Sequence, residues 1–115
     1  MPFNDIEKFK YEKIADKFLE KRRPPIHIRN KLDISYKIID TSIEIYEIRP
    51  SWRDEKEILE TPVAKAKFIK KTKTWKIYWQ RADLKWHKYD PNPEVQLLDD
   101  FFKIVDEDKN CCFWG

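Results

Sequence analysis

Apolar positions along the chain change their period twice, and each change marks an element. Over residues 4–21, Ile6, Phe9, Ile14, Phe18 and Leu19 fall roughly on one side of a helix. Asn4 or Asp5 can cap its start, and Glu7 in the first turn suits the positive end of the helix dipole. Lys21, Arg22 and Arg23 fill the last turn before Pro24-Pro25, which cannot continue a helix. From Leu32 the period becomes two: Leu32, Ile34, Tyr36 and Ile38 alternate with polar neighbours, and so do Ile43 and Ile45. This predicts a hairpin with strands over 32–39 and 42–49, turned by Asp40-Thr41. Pro50 ends the second strand, and Ser51 to Thr61, rich in Asp and Glu, reads as a loop or a short helical turn. Strands 63–69 and 75–80 form a second hairpin around the polar segment Lys70 to Thr74, and Asp83 to Tyr89 alternates as a fifth strand. Asp90-Pro91-Asn92-Pro93 breaks the sheet. A last helix follows over 94–106, with Val95, Leu98, Phe102 and Val105 on one stripe and Leu97, Phe101 and Ile104 beside it. The predicted order is helix, antiparallel meander of four or five strands, helix: an α+β chain with its helices mainly on one face of the sheet.

Composition narrows what such a fold can do. A length of 115 residues predicts one domain, 1–115, that buries enough surface to fold without disulfide or metal. Charged residues make up 39% of the chain, but aromatics at 15% argue for a packed core rather than disorder. Gly115 is the single glycine, which excludes the glycine-rich phosphate cradles of nucleotide-cofactor enzymes, and no cofactor is expected. No apolar run approaches the roughly 18 residues of a membrane span, and the N-terminus lacks the apolar region of a secretion signal. A cytoplasmic protein without membrane contact is the expectation. Cys111 and Cys112 are adjacent, a poor arrangement for a disulfide or a tetrahedral metal site, and read as reduced thiols.

Charge is distributed unevenly. Residues 1–60 carry 13 Lys/Arg and 13 Asp/Glu, residues 61–89 carry 9 and 1, and residues 90–115 carry 2 and 7. The overall net charge of +3 therefore hides a strongly basic middle. One reading is that the acidic last helix packs beside the basic strands and neutralises them.

Alternation assigns these cations to one side of the sheet. If Ala64, Ala66, Phe68, Trp75, Ile77, Trp79, Leu84 and Trp86 face the helices, then Lys65, Lys67, Lys76, Tyr78, Gln80, Lys85, His87 and Tyr89 share the other side. Arg81 lies beside them in sequence. Two helices cover one face of a meander this size, which leaves the other to water or to a partner.

The chain also resembles a family of small bacterial proteins of unknown function. The resemblance is carried by Arg23-Pro24-Pro25, Leu32-Asp33, Glu47 to Trp52, Pro62 to Ala66 and, most densely, Tyr78-Trp79-Gln80-Arg81-Ala82-Asp83-Leu84-Lys85-Trp86-His87-Lys88-Tyr89. It runs over nearly the whole chain from about residue 22. It implies a stand-alone protein, and it brings no activity with it.

Three functions fit the residues. A basic face carrying rings suits single-stranded nucleic acid, with Lys65, Lys67, Lys76, Tyr78, Arg81, Lys85, His87 and Tyr89 as contacts, although the same pattern describes an ordinary solvated sheet face. An open face also suits a protein partner or a second copy of the chain. Catalysis is the weaker expectation. Asp83-Leu84-Lys85 has the carboxylate-x-lysine spacing of metal-dependent nucleases, Glu47-Ile48-Arg49 has it with arginine, and His87 among cations would be a neutral base. Both carboxylate spacings arise often by chance in so charged a chain, and no metal site is expected from His27, His87 and the cysteines. Trp75, Trp79 and Trp86 read as core, Trp52 as folding back over a strand end, and Phe113-Trp114 as docking the C-terminus.

Overall fold

The computed structural model describes residues 2–81, 83–109 and 112–114. Asn4 begins the fold as a reciprocal cap: its side chain accepts from the Glu7 amide at 2.8 Å, and Glu7 Oε1 accepts from the Asn4 amide at 3.1 Å. Helix α1 then runs Asp5–Arg22. Pro24 pushes Arg23 into extended backbone and so ends the helix there. The Arg23 guanidinium donates twice to the Asp33 carboxylate, each bond 2.8 Å, and Asp33 also accepts from the Ile34 amide. A short 3-10 turn, Ile26–Ile28, lies between them. The Arg-Pro-Pro and Leu-Asp segments are thus two halves of one staple, joining the end of α1 to the first strand.

The strands are β1 (Asp33–Ile39), β2 (Ser42–Pro50), β3 (Ile58–Ile69), β4 (Thr74–Gln80), β5 (Trp86–Lys88) and β6 (Glu94–Val95), followed by helix α2 (Leu98–Glu107). The sheet is an antiparallel meander in the order β1-β2-β3-β4-β5, and β6 shares β4's outer edge with β5. The chain is therefore α+β, as its periodicity predicts. Three boundaries differ from the sequence reading. Strand β3 starts at Ile58 inside the supposed loop, because Ile58 to Pro62 pair with the end of β2 across a bulge opposite Ile45/Tyr46. Pro62 is tolerated there because β4 pairs with β3 only from Ala64 onward. Residues 94–95 are a strand and not the first turn of the last helix: the Ile77 amide bonds the Pro93 carbonyl, drawing the segment onto β4 and delaying α2 to Leu98. Strand β5 is shorter than 83–89, because Asp83 to Lys85 form a turn.

Both helices lie on one face of the sheet. Phe3, Tyr11, Ala15 and Phe18 from the N-terminal side and Leu98, Phe101, Phe102 and Val105 from α2 close over Ile34, Ile43, Ile45, Ala64, Ala66, Trp75 and Ile77 in one contiguous cluster. Tyr11 meets Trp75 edge-on at 5.0 Å between centroids, and Phe18 meets Phe102 at 5.0 Å. The buried stripe of α1 is Tyr11, Ala15 and Phe18, so the expected stripe is wrong at its start: Ile6 is 82% and Phe9 61% exposed. Phe3, upstream of the helix, folds into the place they were assigned. Phe113 docks on Tyr89, and the Trp114 indole donates to the Val105 carbonyl at 2.8 Å, as expected for the C-terminus. Cys112 is half-buried against the core, while Cys111 lies outside the described residues. No helix among the described residues is long and apolar enough to cross a membrane.

Candidate functional site

The face away from the helices is built by the alternate positions of five strands. Register places Lys67 opposite Lys76, Lys65 opposite Tyr78, Tyr78 opposite Lys88, and Gln80 opposite Trp86. Toward β1 the same side continues through Glu44, Tyr46 and Lys37. Among the described residues on this side Ser42 alone is buried, and the lysines at 37, 67, 76 and 88 are exposed. Acidic α2 does not neutralise them, contrary to that expectation: it packs on the opposite face, and Asp106 pairs with Arg22 of α1.

Four facings expected over residues 84–89 differ from those observed. Trp86 lies on the open side and His87 opposite Trp79 on the helix side, while Tyr89 is 2% exposed and packed on Phe113. Leu84, assigned to the core, is 75% exposed. The cause is the turn after β4. The Leu84 amide bonds the Arg81 carbonyl and Leu84 adopts a left-handed φ of 62°; across this turn Tyr78 pairs with Lys88 and Gln80 with Trp86, so even-numbered positions keep the open side and the expected facing is one residue out. A one-residue displacement turns every following side chain to the other face.

The expected contacts therefore separate. Lys65, Lys67, Lys76 and Tyr78 come together on the open face, and Lys85 is exposed in the turn before β5. Arg81, also exposed, lays its guanidinium 5.1 Å from the Trp79 ring. His87 and Tyr89 leave the set. Trp86 and Lys88 join it, as do Tyr46 and Lys37; they were legible as residues of the right type, but their facing depended on register. The Lys65 ammonium lies 5.7 Å from the Trp86 ring and 5.9 Å from Tyr78, so one cation is held over two rings. On β1 and β2, the Lys37 ammonium lies 4.7 Å from the Tyr46 ring. Burial first, and then its hydroxyl's bond to Glu44, pushes the Tyr46 phenol up to about 12.

Lys67 and Lys76 are adjacent at the centre of the face, with the Glu94 carboxylate across from Lys76 on its other side. Lys67 and Lys76 stand directly across from each other on neighbouring strands, a like-charge placement that costs stability. Neither takes part in an ion pair among the described residues; Glu94, opposite Lys76 on β6, accepts instead from the Thr74 hydroxyl. Lys37 is the exception, paired with Glu60.

The candidate catalytic groups Asp83 and Lys85 sit in the turn between β4 and β5. Asp83 caps the turn, accepting from the Lys85 amide at 3.0 Å and meeting His87 Nε2 at 2.9 Å. The Lys85 amide and then His87 hold its carboxyl below the usual range. Lys85 follows in the same turn and is not on a paired strand. His87, expected among cations, has a carboxylate as its near neighbour. Glu47 bonds Arg49 on its own strand. Among the described residues no three His, Cys, Asp or Glu side chains are grouped to hold a metal ion. A groove between the helices, bordered by Lys17, Lys21 and Lys103 and by Asp99, Asp106 and Glu107, balances its own charges.

At the far end of β2 and β3 lies a second basic feature. Trp52, expected to fold back, is 86% exposed, and the Arg53 guanidinium sits 4.9 Å from its ring. Here a cleft of about 750 Å³ opens between the Arg29–Lys31 segment and the β2–β3 connection. A family model described as Domain of unknown function (DUF3024) matches residues 3–115 of the chain. No curated protein and no solved structure matches it.

Proposed function

Since the chain belongs to the DUF3024 family, whose description carries no activity, we propose from its geometry that it is a non-catalytic protein binding single-stranded nucleic acid on the open sheet face. The observation that carries this reading is the Lys67–Lys76 placement beside the Lys65, Tyr78 and Trp86 cluster. A phosphate between two facing ammonium groups removes a repulsion that the folded chain otherwise bears. Tyr78 and Trp86 supply rings for bases, which stack without regard to sequence. Lys88 and Lys65 complete the contacts, with Lys85 at the rim; the Arg81 guanidinium lies over Trp79, whose side is that of the helices, and stays outside the set. Self-association through the same face would bring these lysines against their own copies, which argues for the polyanion over a second copy.

Fluorescence anisotropy with a labelled strand of about twelve nucleotides tests this. Binding should weaken steeply between about 50 and about 200 mM salt, and Lys67→Ala with Lys76→Ala should lower the logarithmic salt slope by about 2. Trp86→Ala should cost roughly 1–3 kcal/mol at every salt concentration. No binding, or binding indifferent to salt, refutes the proposal.

A further inference from the structure

The open face does not stop at the lysine platform. Along the β2–β3 hairpin, Glu44 and Lys65, Tyr46 and Pro62, Ile48 and Glu60, and Pro50 and Ile58 face one another, and all of them point to the same side. Beyond the last pair the chain turns through Ser51 to Glu57 and exposes Trp52. The cleft at this end has Ile48, Ile58 and Trp52 as apolar walls, and Arg29, Lys31 and Arg49 against Glu55 as charged ones. Two of these cations are positioned by the fold: Arg29 Nε donates to the Pro24 carbonyl at 2.8 Å, and Arg49 bonds Glu47. Trp52 makes no part of the buried core, so nothing in the packing explains a tryptophan here.

We infer that this cleft is a second station for the same nucleic-acid strand, an inference that rests on the reading proposed above for the sheet face. A base stacks on Trp52, and the flanking phosphates meet Lys31 and Arg29. The platform and the cleft are separated along β3 by the seven steps from Lys65 to Ile58, roughly 23 Å at about 3.3 Å per residue. Glu60 lies between them, paired with Lys37, and Glu44 borders the platform across from Lys65, its carboxylate engaged by the Tyr46 hydroxyl. These carboxylates repel phosphate, so the surface is two stations joined by a spacer and not one continuous groove. A strand too short to span the gap reaches one station only. A longer strand gains the second as an intramolecular event, without loss of its freedom a second time.

The test is affinity as a function of strand length, measured for oligothymidylates of about 3 to about 15 nucleotides with the parent protein, Trp52→Ala and Trp86→Ala. The expected result is a step of about tenfold or more once the strand spans the gap. Trp52→Ala should abolish the step and leave the shortest strands within about twofold of the parent, and Trp86→Ala should weaken every length. If short strands bind but affinity shows no step, or if Trp52→Ala keeps it, the second station is refuted and the platform reading stands. If Trp52→Ala weakens binding and Trp86→Ala does not, the platform reading falls and the cleft remains. Failure of all lengths to bind overturns both.

Discussion

Leu84 combines two features that ordinarily destabilise a folded chain. Its backbone is left-handed, which costs a residue with a Cβ about 1 kcal/mol, and its side chain is 75% exposed. Asp40, Lys73 and Asp108 also have positive φ, as they must in a chain whose glycine is its last residue. Aspartate tolerates this conformation, whereas leucine gains nothing from it. Leu84→Gly should therefore raise stability by about 1 kcal/mol, read as a higher urea midpoint at unchanged slope. An unchanged or lower midpoint would show that Leu84 is held by contacts that repay its conformation. The turn that holds Leu84 also bears on the strand that follows it. A turn normally announces itself by glycine or asparagine; Arg81 to Lys85 contain neither, so the sequence does not mark the length of the turn, and with it the register that pairs Tyr78 with Lys88. The types of residue available to the open face were visible, but the side on which Trp86, His87 and Tyr89 fall follows from the register between β4 and β5.

The elements themselves were legible wherever burial enforces a period. Ile34, Tyr36 and Ile38 in β1, Ile43 and Ile45 in β2, and Trp75 and Ile77 in β4 alternate because one face meets the helices and the other does not. Strand β6 was invisible because its two residues owe their pairing to the free edge of β4, and the start of β3 because Glu57, Glu60 and Thr61 have loop composition. The staple between α1 and β1 was equally hidden: Arg23 and Asp33 are ten residues apart, and nothing local pairs them. Because the Arg23 guanidinium, first of its partners, holds the Asp33 carboxyl below its usual range, this contact stabilises the fold above the ordinary aspartate value near 3.9. The contribution is lost as pH falls through the lower folded value. Asp33→Ala should cost about 1 kcal/mol in denaturant melts at pH 7, and the difference from the parent should shrink toward about pH 2. A difference constant over that range would assign the loss to packing instead of charge.

For the whole molecule the decisive feature is which side of the sheet each charge occupies. The lysine-rich face and acidic α2 lie on opposite sides, so the molecule carries an electric dipole that its net charge of +3 does not report. Exchanging Lys67 and Lys76 for alanine should slow association with a strand at about 50 mM salt far more than exchanging Lys8 and Lys13 of α1, although each pair removes the same charge. Equal slowing in stopped-flow measurements would mean that only total charge matters. A separated distribution also exerts a torque. On the proposed reading, a strand within about 10 Å, the reach of the field at about 0.1 M salt, would turn the sheet toward itself. Productive collisions would then be selected by orientation before any ring or ammonium group touched its target.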